Sequence, residues 1–136
     1  MLTSTQWNTL HSMMNRIIPQ DDFPDAWEAG VGDYLARQFG RDLHGQVETY
    51  KLGLEALEAE SQALAGKSFT ELEASTQDTI LARLETGQVA AAWPVNPTGF
   101  FQMVIEHVME GYYSDPGNGG KRDGISWKMI GFTGGE

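Results

Sequence analysis

Residues 43–64 read LHGQVETYKLGLEALEAESQAL and form the most regular apolar pattern in the chain. Large apolar side chains recur at near-heptad spacing, whereas Glu48, Glu55 and Glu58 lie off that face. This spacing predicts an amphipathic helix. Because the pattern is short for a coiled coil, we expect a helix that faces the protein's own core rather than a second chain. The apolar positions are Leu43, Val47, Tyr50, Leu54, Leu57 and Leu64.

Two helices are predicted ahead of this segment. Thr3 and Gln6 have the spacing of a capping box, which predicts a first helix that begins near Thr3 and ends before Pro19. Asp25 with Glu28 predicts the cap of a second helix that extends to about residue 39. This second helix would contain Gly30 and Gly32, which indicates close packing against a neighbouring element.

Two further helices are predicted after it. A short turn over residues 68–72 precedes a helix capped by Ser75 and Asp78 and ending near Gly87. The last helix is expected over residues 98–113. No stretch alternates with period two, so we predict an all-α protein, a bundle of about five helices followed by an irregular C-terminal tail. The apolar stripe of the last helix comprises Phe101, Val104, Ile105, Val108 and Tyr112.

Length and composition indicate one domain. The 136 residues are 40% hydrophobic, which is enough for a core without disulfides. We divide the chain into an acidic helical body, residues 1–111, and a C-terminal docking tail, residues 112–136. Residues 1–110 hold 16 acidic and 6 basic side chains, whereas residues 111–136 are neutral and hold 8 of the 16 glycines.

Charge and composition exclude several functions. A net charge of −10 disfavours binding to nucleic acid or to anionic lipid. The absence of cysteine excludes disulfides, thiolate metal sites and cysteine nucleophiles. No apolar run approaches the ~20 residues that a membrane-spanning helix needs, so direct membrane insertion is not expected.

Candidate chemistry within the chain is sparse. His107 and Glu110 have the i, i+3 spacing that helical bundles use at metal sites, but such sites need further inward-facing pairs. A locally paired histidine is the favoured interpretation. Residues 117–122, GNGGKR, place glycines beside two cations, as anion-binding loops do, but lack the spacing of a nucleotide-binding motif. We therefore expect no catalytic residue, no metal and no cofactor in this chain.

The tail concentrates large apolar side chains in a glycine-rich segment. Residues 112–136 contain Tyr112, Tyr113, Trp127, Met129, Ile130 and Phe132. Either this segment folds back over the bundle, or it presents these groups to another protein.

Two stretches of the chain resemble one known family. The first contains Arg16-Ile17-Ile18-Pro19, Asp21-Asp22, Pro24, Ala26, Glu28-Ala29-Gly30-Val31 and Tyr34. The second contains Glu110-Gly111-Tyr112-Tyr113-Ser114-Asp115-Pro116, Gly119-Gly120, Asp123-Gly124, Trp127 and Gly131-Phe132. Together they resemble the gluconate 2-dehydrogenase subunit 3 family, while residues 40–100 match only in helical character.

This resemblance implies a non-catalytic small subunit of a bacterial sugar or polyol dehydrogenase. In the family, FAD and the substrate site belong to a large subunit of the glucose–methanol–choline (GMC) type, and a cytochrome c subunit often accepts the electrons. The small subunit binds the flavoprotein and assists its maturation. The resemblance and the tail composition assign partner binding to Tyr112, Tyr113, Asp115, Pro116, Lys121, Arg122, Trp127 and Phe132.

Location and two other functions remain open. The family often carries a twin-arginine export signal, which these residues lack. We expect a periplasmic complex if a signal was removed or a partner supplies one, and a cytoplasmic protein otherwise. The alternatives are a stand-alone metal-binding protein or enzyme that uses His107 and Glu110, and a homo-oligomeric helical protein.

Overall fold

Five α-helices form most of residues 1–114, the part of the chain that the computed structural model describes. No strand occurs among these residues, and the predicted all-α fold is confirmed. Short 3₁₀ turns, His44–Gln46 and Phe69–Glu71, precede the third and fourth helices. The helices are α1 Ser4–Ile17, α2 Val31–Phe39, α3 Val47–Ala65, α4 Ala74–Thr86 and α5 Pro97–Tyr113.

The start of α1 is the one that the sequence predicts. The Thr3 hydroxyl accepts a hydrogen bond from the Gln6 amide nitrogen at 3.1 Å, and the Gln6 side chain accepts one from the Thr3 amide at 2.9 Å. This reciprocal capping box satisfies two N–H groups that would otherwise lack partners in the first turn. The buried face of α1 then includes Leu10, Met14 and Ile17.

The predicted start of α2 is wrong. Asp25 does accept a hydrogen bond from the Glu28 amide at 2.9 Å, but this bond closes a turn and not a helix. Gly30 adopts a φ of +92°, a left-handed conformation that interrupts the helix, so α2 begins at Val31. Gly32 lies inside α2 and packs against the Trp27 ring, which agrees with the close approach that was expected for it.

The predicted cap of α4 is also wrong. Glu73 occupies the cap position without a side-chain hydrogen bond, and the helix begins at Ala74. Asp78 instead accepts two hydrogen bonds from the Arg16 guanidinium, at 2.8 Å and 3.0 Å. This bidentate pair is mostly shielded from solvent and joins α4 to α1.

A single core lies around α5, which packs against each of the other four helices. Tyr50, Leu54 and Leu57 of α3 are buried in this core, as expected for a core-facing helix, whereas Leu64 at the end of the helix is exposed. The whole predicted stripe of α5 is buried: Phe101, Val104, Ile105, Val108 and Tyr112.

A buried carboxylate holds the connection between α4 and α5. Glu60 of α3 has no exposed surface, and its oxygens accept hydrogen bonds from the Ala90 amide at 2.6 Å, the Ala91 amide at 3.0 Å and the Trp93 indole at 3.0 Å. Burial alone would raise the pKa of Glu60, but these donors, together with the charge of Arg83, hold it below its ordinary value. The ionised carboxylate therefore fixes a loop that contains no helix of its own.

The contact between Gly53 of α3 and Phe100 of α5 predicts the effect of adding one methyl group at position 53. A β-carbon at Gly53 would collide with the buried ring of Phe100. We expect Gly53→Ala to destabilise the chain by about 1–2 kcal/mol, since the overpacking exceeds the helix propensity gained by alanine. Urea denaturation measures this, with Gly45→Ala as the control because no atom lies within 4 Å of its β-carbon position. Equal stability of the two variants would contradict the expected collision.

Candidate functional site

Tyr112, the first residue assigned to the tail, belongs to the core of the body. Its side chain has no exposed surface, and its hydroxyl donates a hydrogen bond to the Pro24 carbonyl at 3.1 Å. Tyr112 lies within the last helix, because α5 continues to Tyr113. In this conformation, Tyr112 cannot contact a partner at the surface.

Glycine allows the same end of α5 to lie against α2. A β-carbon at Gly111 would be 2.7 Å from the Tyr34 ring, so only glycine fits without a shift of that ring. Burial, with the charges of Glu110 and Asp42, raises the pKa of Tyr34, and its hydroxyl therefore stays protonated at neutral pH. We call the region formed by Pro24, Tyr34, Gly111 and Tyr112 the α2–α5 junction.

The α2–α5 junction brings together the two stretches that resemble the family. Pro24 and Tyr34 come from the first stretch, whereas Gly111 and Tyr112 come from the second, and 88 residues separate the partners of the Tyr112 hydrogen bond. Periodicity gave no indication of this contact. The only signal in the sequence was that both stretches resemble the same family.

Tyr113 is the last of the assigned residues within the described part of the chain. Its ring is half-buried and meets the Tyr112 ring edge to face, with centroids 5.4 Å apart. The next residue, Ser114, ends α5 with a hydrogen bond from its hydroxyl to the Gly111 carbonyl at 2.8 Å. The other assigned residues lie outside the described residues: Asp115, Pro116, Lys121, Arg122, Trp127 and Phe132.

Trp27 is a surface residue that the sequence analysis did not assign to the site. In the sequence it lies between Pro24 and Tyr34 of the α2–α5 junction, and its side chain is 40% exposed. One face of the indole stacks on the imidazole of His11, with centroids 4.1 Å apart and planes inclined by 13°. Its six-membered ring lies over Gly32, where a β-carbon would approach to 2.5 Å. The indole is therefore held in place although it faces solvent.

His107 is engaged with a tyrosine and not with a carboxylate cluster. Its Nδ1 is 2.8 Å from the Tyr50 hydroxyl. Because burial and the charge of Glu110 raise the pKa of Tyr50, this hydroxyl keeps its proton at neutral pH and forms a hydrogen bond with the imidazole. Within residues 1–114, no three histidine or acidic side chains cluster as they would around a metal ion.

A shallow groove between α1 and α3 has a volume of about 200 Å³. It is lined by three threonines, Gln6, Leu54 and two glutamates, and the Gln6 side-chain amide donates to Glu55 across it at 2.7 Å. Glu58, also in this lining, accepts hydrogen bonds from Ser68 and from the Phe69 amide. Both carboxylates therefore have structural partners, and neither is poised over the groove as an acid or a base.

Over its described residues, the chain is a small all-helical protein whose distinctive surface lies where α2, α5 and the α1–α2 loop meet. A family model described as gluconate 2-dehydrogenase subunit 3 matches residues 4–135, and the chain belongs to this family. The family name is that of one subunit of a multi-subunit gluconate dehydrogenase complex. Searches of curated proteins and of solved structures find no match. No helix within residues 1–114 is both long and apolar enough to cross a membrane.

The burial of Tyr112 leads to a stability prediction. We expect Tyr112→Ala to lower the free energy of unfolding by about 3–5 kcal/mol, because it leaves a large cavity between α5 and its neighbours. Tyr112→Phe removes only the hydrogen bond to Pro24 and is expected to cost about 1 kcal/mol. Urea denaturation of the full chain distinguishes these values. A Tyr112→Ala variant as stable as the wild type would show that the ring is not part of the core.

The partial burial of His107 predicts a pH dependence. Burial lowers the pKa of His107 in the folded chain below its ordinary value of 6.5, although Glu110 and Glu106 partly offset this effect. The unfolded chain therefore binds the proton more readily, and stability is highest above about pH 6.5 and falls as the pH drops from there through the folded pKa.

A variant isolates this effect from the titration of the acidic side chains. His107→Gln keeps a hydrogen-bond acceptor near Tyr50 but cannot gain a proton. We expect its free energy of unfolding to fall less than that of the wild type between about pH 8 and about pH 5.5. Denaturation curves at several pH values test this, and parallel profiles for both proteins would contradict it.

Proposed function

We propose that this chain is a non-catalytic accessory subunit that binds and stabilises an FAD-containing large subunit of the GMC type. The large subunit would carry out the oxidation of a sugar or polyol, and a cytochrome c subunit of the same complex would accept the electrons. The observation that carries this proposal is the α2–α5 junction, where both family stretches meet beneath a surface that includes the exposed Pro24 and the partly exposed Tyr34. Residues that define a family by binding a partner are expected at a surface of this kind.

The chemistry of the described residues supports an accessory role. His107 on α5 forms a hydrogen bond with the buried Tyr50, and the buried Glu60 accepts hydrogen bonds from three donors. Neither group is arranged to transfer a proton to a bound substrate. Binding of a folded partner, by contrast, needs only a stable body and a complementary surface, and the helical core provides the first of these.

We also propose that the complex acts in the periplasm. The alternative is a cytoplasmic complex. Cell fractionation of the tagged full chain together with its flavoprotein distinguishes the two compartments.

Co-expression with a GMC-type flavoprotein from the same organism tests the proposed function. We expect the two proteins to co-purify, and the flavoprotein to hold more FAD and melt at a higher temperature than when it is expressed alone. Mass action predicts a stabilisation of about 2.7 kcal/mol when the small subunit is present at about one hundred times the Kd. A flavoprotein that folds, binds FAD and melts identically without this chain would contradict the proposal.

The same assay tests the assigned tail. Trp127→Ala in the full chain is expected to weaken binding by about 2 kcal/mol, or roughly 30-fold, as the loss of an interface anchor does. Leu64→Ala is the control, because it removes an exposed apolar side chain at the end of α3, outside the assigned tail. An equal effect of both substitutions would remove Trp127 from the interface.

A further inference from the structure

Trp27 has features of a preorganised binding residue. Three separate contacts hold it: the stacked imidazole of His11, the close surface of Gly32, and a hydrogen bond from its backbone N–H to the Asn15 side chain at 3.0 Å. Despite these contacts, 40% of its surface faces solvent. Immobilising an exposed aromatic ring in advance lowers the entropy that binding would otherwise lose.

The segment of chain that contains Trp27 carries one sign of charge. Residues 21–33 contain five acidic side chains and no lysine or arginine. Glu28 is exposed immediately after Trp27, and Asp33 is exposed in the first turn of α2. We call Trp27 together with these acidic residues, Asp21, Asp22, Asp25, Glu28 and Asp33, the Trp27 patch.

We propose that the Trp27 patch is a docking surface for a basic-rimmed apolar pocket on the large flavoprotein subunit. This inference rests on the proposed function and adds a contact that the tail residues do not include. The indole would enter the pocket, and lysine or arginine side chains around the pocket would face the acidic rim.

Charge decides between the possible occupants. In a symmetric dimer the patch would meet itself, which would place two groups of acidic side chains against each other. Nucleic acid and anionic lipid carry the same sign of charge and are repelled as well. A protein surface with an excess of basic residues is the occupant that compensates this charge.

Affinity measurements with the full chain and the FAD-containing large subunit test the inference. We expect Trp27→Ala to weaken binding about 30-fold, and the control Leu64→Ala, of nearly equal exposure at 41%, to change it less than about twofold. Glu28→Lys is expected to weaken binding more than Glu48→Lys, an equal charge change on α3, and the difference is expected to shrink as salt is added. Thermal unfolding of each isolated variant is measured alongside.

The outcomes separate this inference from the proposed function. If the wild-type chain does not bind the flavoprotein, the proposed function fails and the docking surface fails with it. If the wild type binds and the Trp27 and Glu28 variants bind equally well, only the docking surface is overturned. It is also overturned if Trp27→Ala loses affinity only in proportion to lost stability, or if the wild type forms a dimer that Trp27→Ala abolishes.

Discussion

The position of α5 depends on two places where a β-carbon does not fit. Gly53 of α3 lies against the Phe100 ring, and Gly111 of α5 lies against the Tyr34 ring. Between these contacts α5 lies close enough to both neighbours for its apolar stripe to be fully buried. If α5 moved outward by the width of a methyl group, the Tyr112 hydroxyl would no longer be within hydrogen-bond distance of the Pro24 carbonyl. The surface at the α2–α5 junction is therefore a consequence of how the core packs.

Sequence patterns predicted the features that neighbouring residues determine. The capping box of Thr3 and Gln6 and the stripe of α5 depend on spacings within a few turns of helix, and both are confirmed. The start of α2 was wrong because the conformation of Gly30 depends on how the preceding turn packs. The cap of α4 was wrong because Asp78 pairs with Arg16, which is 62 residues away. Contacts between residues so far apart in the chain produce no periodic pattern in a single sequence.

The candidate site shows the same division. Tyr112 received two assignments from the sequence, as the last position of the α5 stripe and as the first residue of the docking tail, because both contain the same residue types; its burial agrees with the first. Trp27 was predicted only as a helix residue, because its stacking on His11 and its packing over Gly32 require the tertiary fold. Glu60 was one of nineteen acidic residues, and nothing in its local sequence distinguished it from exposed glutamates. Its three donors lie 30 to 33 residues further along the chain.

The carboxylates discussed above fall into two groups, those with hydrogen-bond partners inside the fold and those exposed to solvent. Glu60 and Asp78 are satisfied by partners within the chain, so their charges stabilise the fold and are not available to a second protein. Glu28 and Asp33 are exposed, and they lie within residues 21–33, which contain no lysine or arginine. We propose that a basic partner pairs with these exposed carboxylates, and that the complex then gains electrostatic energy that the isolated chain lacks.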